Sequence, residues 1–141
     1  MYGTILVAVE NSDADKTILA HVRQLARMCR SRLILMHVAD GFVARTQKSL
    51  NLQDSEEILA DRAYLDRCRD AMIAEGFEAQ TVLGMGDPAT ELVAKAEELR
   101  VDLIAMATHG HGFIADLIRG SVASAVRHKT AIPVLMVRAS R

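Results

Sequence analysis

Short apolar runs at residues 5–9, 33–39, 77–83, 103–107 and 133–137 alternate along the chain with longer segments whose apolar residues recur at helical spacing. Runs of this length, rich in Val, Ile and Leu and stopping abruptly at polar or glycine residues, are what strands buried on both faces look like. Between them, Ile18, Val22, Leu25 and Cys29 mark one helical stripe, Ile58, Leu65, Cys68 and Met72 a second, and Ala89, Leu92, Val93, Ala96 and Leu99 a third. Val122, Ala125 and Val126 share the face of a fourth. Strict alternation of strand and helix predicts an α/β fold. The expectation is one doubly wound domain over residues 1–141, with a five-stranded, mostly parallel sheet, helices on both faces and a Rossmann-like architecture.

Local signals set the boundaries. Ser12 with Asp15 and Asp54 with Glu57 have the spacing of capping boxes, Gly76 can end the second helix, and Asp87-Pro88 supplies a cap followed by proline at the first helical position. Pro133 suits the first place of a strand, where no ladder donor is needed. Residues 40–53 show no period, and read as a surface loop or as a lid or partner surface.

A chain of 141 residues, 50% hydrophobic, can fill one core and not two. Its net charge of −1, without charge runs, excludes the basic footprint of a non-specific nucleic-acid binder. No apolar run reaches membrane-spanning length, and Met1-Tyr2-Gly3 leads directly into the first strand, so a cytoplasmic location is expected, with no membrane partner. Cys29 and Cys68 sit in helical stripes and read as buried thiols.

Sheets of this class bind ligands beyond the carboxyl ends of their strands, where the strand order reverses. Two strands end in a short loop feeding a helix region: the first at Glu10-Asn11-Ser12, and the fourth at Thr108-His109-Gly110. If those strands are neighbours, their loops flank one crevice. Gly120 follows Gly110 after nine residues and is expected to open the helix Ser121-Val122-Ala123, so that free N–H groups and a hydroxyl form an anion site.

These residues resemble the universal stress protein family, specifically its ATP-binding branch. The resemblance is carried by Ile5-Leu6-Val7-Ala8-Val9-Glu10-Asn11-Ser12, Gly86-Asp87-Pro88-Ala89, Val101-Asp102-Leu103-Ile104-Ala105-Met106 and Ile132-Pro133-Val134-Leu135-Met136-Val137. The nucleotide motif of that branch is glycine, two residues, glycine, nine residues, glycine, then serine or threonine. Its last three landmarks stand here as Gly110, Gly120 and Ser121, with Ala107 at the first. The resemblance implies phosphate contacts from Gly110, Gly120, Ser121 and Val122, with His109 beside them. It implies an adenine pocket lined by Val38, with Ala8 and Val9 near the base or ribose and Met106 and Ala107 closing the strand end. Glu10, where the family usually has aspartate, becomes a partner for the ribose hydroxyls.

The implied ligand is ATP, with Mg or Mn, and the implied assembly a homodimer through the strand from Val134 to Val137. The function that follows is a nucleotide-responsive stress or signalling module. A slow metal-dependent nucleotide hydrolase, with Ser121 and the metal orienting the phosphates, and an interaction module without nucleotide are the competing readings. Ser121 has no evident base, which argues against a nucleophile. Gly110-His111-Gly112-Phe113-Ile114-Ala115 has the form of a dinucleotide fingerprint but follows the fourth strand, not the first. His109 and His111 need further ligands to hold a metal, and His37, inside an apolar strand, reads as a satisfied core histidine. Arg119, Arg127 and Lys129 are candidates to screen a triphosphate.

Overall fold

The computed structural model describes residues 1–39, 56–108 and 116–139, and for the helix beginning at 116 it describes side chains from 122 onward. In chain order the elements are β1 Thr4–Ala8, α1 Ala14–Cys29, β2 Arg32–Ala39, α2 Glu56–Ala74, β3 Ala79–Met85, α3 Pro88–Glu98, β4 Leu103–Thr108, α4 Asp116–Lys129 and β5 Val134–Arg138. The strands form one sheet in the order β3-β2-β1-β4-β5, and every neighbouring pair is parallel.

Strand alternation sorts the apolar residues into two layers. Ile5, Val7, Leu33, Leu35, Leu103 and Ala105 face one way and pack with Ile18, Leu19, Val22 and Ala26 of α1 and Leu65 and Met72 of α2. Leu6, Ile34, Met36, Ile104 and Met106 face the other way, against Ala89, Leu92, Val93 and Ala96 of α3 and Ala123 and Val126 of α4. Each fully buried Leu or Ile contributes about 1.5–3 kcal/mol. The strands are apolar at successive positions because both faces are covered.

Most boundaries fall where local chemistry puts them. Asp87 caps α3 by accepting from the Thr90 N–H at 3.0 Å and the Thr90 hydroxyl at 2.7 Å, and Pro88 occupies the first turn. Gly76 ends α2 at φ +97, which leaves Phe77 to close the helix by donating its N–H to the Met72 carbonyl at 3.1 Å. Because Phe77 is used there, β3 begins at Ala79 and not at residue 77. The start of α1 departs from a simple capping box. Asp15 does not bond one N–H but turns back over the whole β1–α1 loop, and Ser12 Oγ accepts from the Ala14 N–H at 3.3 Å. The Asp54 half of the second box and residues 40–53 lie outside the described residues.

Cys29 and Cys68 are free thiols, both half-buried. Burial pushes the Cys68 thiol up from its ordinary value, so its thiolate is scarce. Among the described residues no helix is long and apolar enough to cross a membrane.

Candidate functional site

The sheet starts at β1 and grows first toward β2 and β3, then returns to the other side through β4 and β5, so the strand order reverses between β1 and β4. These two strands are direct neighbours, with Ile5 beside Leu103, Leu6 beside Ile104 and Val7 beside Ala105. Their outgoing chains diverge, α1 to one face and α4 to the other, and leave a crevice at the carboxyl edge. A cavity of about 310 Å³ lies there, lined by Ala8, Val9, Glu10, Met36, His37, Val38, Pro88, Leu92, Met106, Ala107 and Val122.

Ala8, Val9, Glu10, Val38, Met106, Ala107 and Val122, seven of the residues singled out in the sequence, thus come together around one space. His109 and Gly110 lie outside the described residues. Gly120 and Ser121 belong to α4, but not at its mouth: the helix begins at Asp116 and carries through Gly120, so both stand in its second turn. The interior cost of glycine, about 1 kcal/mol, does not stop a helix whose flanks continue the pattern. The free N–H groups of this helix therefore belong to its first turn, ahead of Gly120. Arg127 and Lys129 fall in its last turn, at the opposite end from Asp116.

Met36, Pro88 and Leu92 also line the cavity and were not legible as site residues. A usable signal was parity, since Met36 shares its strand face with Val38. Pro88 and Leu92 arrive on α3 from a different strand end. Gly84 of β3 completes the wall from behind: a Cβ there meets the Met36 methyl at 3.0 Å and Val38 Cγ2 at 3.6 Å. Ala107 lies within β4, in register with Val137, and is not among the described residues with positive φ. Glycine's conformational range is not needed at that point of the strand.

The edge of the cavity is held by a buried carboxylate. Asp15, 1% exposed, accepts from the N–H groups of Glu10 at 3.0 Å and Asn11 at 2.8 Å, and more distantly from Ser12 at 3.4 Å. The Tyr64 hydroxyl of α2 donates to the same carboxylate at 2.5 Å. Glu10 itself accepts from the Ser12 hydroxyl at 2.7 Å, which orients its carboxylate at the cavity rim. Backbone donors converging on one anionic group satisfy its charge without a cation.

Burial, reinforced by the hydrogen bond and the negative charge of Asp15, holds the Tyr64 phenol protonated far above the usual tyrosine range. A folded-state pKa raised above the unfolded one gives stability that is complete below about pH 10, the unfolded value, and is lost as the pH climbs beyond it. In a Tyr2→Phe protein Tyr64 is the remaining tyrosine of the two. Its phenolate absorbance is expected to appear only in one cooperative step with alkaline unfolding. A gradual titration of the folded protein centred near pH 10 contradicts this.

A larger depression, about 570 Å³, lies at the other edge of the sheet beside Gly3, Arg30, Arg32, Gly76 and Phe77. Two of its charges pair with each other: Arg27 bonds Glu75 at 3.1 Å, while Arg23 bonds the same carboxylate at 2.8 Å and Arg27 lies over the Phe77 ring. It sits at the amino ends of the strands, away from the order reversal. Among the described residues no group of His, Cys, Asp and Glu is arranged to hold a metal.

Comparison with known proteins agrees with this architecture. The chain is 28% identical to universal stress protein MJ0577 of Methanocaldococcus jannaschii over 98% of its length and 96% of that protein. The solved structure of MJ0577 superposes with a TM-score of 0.81 at 27% identity, covering 100% of this chain and 99% of that one. Universal stress protein YxiE of Bacillus subtilis is 26% identical over 98% of this chain and all of that one. A universal stress protein from Archaeoglobus fulgidus, solved in complex with dAMP, shares the fold at a TM-score of 0.72 and 23% identity, over 96% of this chain and 98% of that one. The universal stress protein family model matches residues 1–138, and with a match over nearly its whole length the chain belongs to that family.

Proposed function

We propose that the cavity at the β1–β4 divide binds an adenine nucleotide, with ATP and its magnesium or manganese ion as the physiological ligand, and that the protein is a nucleotide-responsive stress module of the cytoplasm. The observation that carries this reading is the edge that Val38 presents. Along β2 the even-numbered residues pair with the β1 side, as Arg32 does by donating to Gly3 O and Met36 by accepting from the Val9 N–H. Odd-numbered residues pair with β3, as Leu33 does with Glu78 O and Ala39 with the Gly86 N–H. By this alternation Val38 turns its N–H and C=O to the β1 side, past Ala8 where β1 ends, at the cavity wall.

A donor and an acceptor side by side on an apolar slot match the N1 acceptor and N6 amine of adenine. They mismatch guanine, whose edge has the reverse polarity. Apolar surface from Ala8, Met36, Leu92, Met106 and Val122 covers the ring faces, and the oriented Glu10 carboxylate lies on the rim where ribose hydroxyls extend. By the motif spacing, His109, Gly110 and the Ser121 hydroxyl complete the proposed phosphate end, with Gly120 and Val122 beside Ser121 in the second turn of α4. The dAMP held by the Archaeoglobus fulgidus protein of the same fold supports an adenine ligand. Freshly purified protein is expected to release adenine nucleotide on heat denaturation, or to bind added ATP with magnesium at low micromolar concentration, near −8 kcal/mol. Protein that is empty and ignores ATP, AMP and dAMP in calorimetry overturns the reading.

The same proposal includes a homodimer through β5. This strand ends the sheet, with Val134, Leu135 and Val137 half-buried and Met136 exposed. An apolar edge strand is a template for pairing, and a second copy meets it isologously. Met136→Lys is expected to shift the protein from dimer to monomer in sedimentation while leaving nucleotide affinity within about threefold. An unchanged sedimentation coefficient places the interface elsewhere.

A further inference from the structure

We infer that His37 is a positioning residue of this site: its ring occupies the Val9 carbonyl and so keeps the Val38 N–H turned to the cavity instead of closed onto β1. In a parallel ladder, a residue that accepts from one partner is followed two places later by one that donates to the next carbonyl along. The Val9 N–H donates to Met36 O at 2.9 Å, so the next rung joins the Val38 N–H to Val9 O. Among the described residues that rung is missing. Val9 O instead accepts from His37 Nδ1 at 2.9 Å.

The ring can compete with a backbone amide because its other end is anchored. His37 Nε2 lies 3.1 Å from Asp61 Oδ2 on α2, and Asp61 Oδ1 accepts from Asn11 Nδ2 at 3.1 Å. Asn11 stands at φ +61, a left-handed turn that asparagine tolerates better than most residues, and it swings the chain away just past Val9. The side chains of His37 and Asp61 are 13% and 12% exposed, so water competes little for these bonds. Carbonyl, ring, carboxylate and amide stand in one series from the cavity floor to α2, and because both neighbours of the ring are acceptors it bonds both only with a proton on each nitrogen. Without the ring, β1 extends by one rung and the Val38 donor is consumed inside the sheet.

The backbone half of this inference needs no ligand; the ligand half rests on the proposed adenine reading. The test uses His37→Leu, with His37→Gln as the conservative variant that can still donate to Val9 O and is retained if the leucine protein fails to fold. In ligand-free protein, exchange of the Val38 amide followed by NMR is expected to slow about tenfold or more in His37→Leu, as the new rung forms, and to stay near wild type in His37→Gln. ATP affinity is expected to fall about tenfold or more in His37→Leu, and the preference for ATP over ITP, whose hypoxanthine edge has reversed polarity at N1, to shrink toward one. Val38 exchange as fast in His37→Leu as in wild type overturns the inference. A protected Val38 in a protein that binds neither nucleotide in any form upholds the role of His37 and counts against the nucleotide alone.

Discussion

Ala8→Leu is expected to lower the affinity for ATP by about 100-fold or more, close to 2.7 kcal/mol, with a change in folding stability within about 1 kcal/mol. Ala8 ends the central strand β1, packs with the α3–α4 layer, and lines the cavity. Three added carbons at that point enter the space in which the base would stack. Small-to-large changes usually cost stability because a filled core must move aside. Here the added atoms enter a void of about 310 Å³, so the folded protein tolerates them while the ligand does not. Calorimetric titration beside urea unfolding separates the two quantities. Loss of both together means that Ala8 packs against protein and not against ligand, and unchanged affinity moves the base out of this cavity.

The second large effect belongs to Asp15. Asp15→Ala is expected to destabilise the fold by about 3 kcal/mol, since it removes the buried acceptor shared by several loop N–H groups and a phenol. The bonds concerned run from Glu10, Asn11 and Tyr64. Asp15→Asn, which keeps one acceptor oxygen but adds an unwanted donor, should fall between, and Tyr64→Phe should cost about 1 kcal/mol because Asp15 keeps its backbone donors. Urea midpoints in that order support a carboxylate that organises the loop. A near-neutral Asp15→Ala shows that the loop N–H groups find water.

The architecture was legible because its cause is periodicity. Strands covered on both faces must be apolar at successive positions, and each of the five apolar runs forms a strand within two residues of its expected start. The adjacency of β1 and β4 could be stated only as a condition, since pairing partners are set by packing between elements that no local pattern encodes. Seven residues of the cavity lining were reachable because they lie at strand ends or in the motif. Met36, Pro88 and Leu92 were not, because a cavity wall needs no particular chemistry from its residues, only surface at the right place. His37 was legible as a satisfied core histidine, but not its partners: Asp61 lies 24 residues away in sequence, and the Tyr64–Asp15 bond spans 49. The start of α4 was misplaced because glycine was weighed as a boundary, whereas a run with helix-forming flanks absorbs one glycine at modest cost.

The pairing of β1 with β4 also dictates a sequence of events in time. The Thr4 N–H bonds Asp102 Oδ2 at 2.9 Å across 98 residues, and closing so long a loop is slow compared with forming the neighbouring β1–β2 unit. During synthesis the first three strands and their helices can associate while the chain that carries β4 has yet to be made. The cavity has no second wall until β4 docks, so a ligand of this cavity can act on the protein only after a contact spanning 98 residues has formed. A ligand added during refolding should accordingly leave the early phases unchanged and slow unfolding.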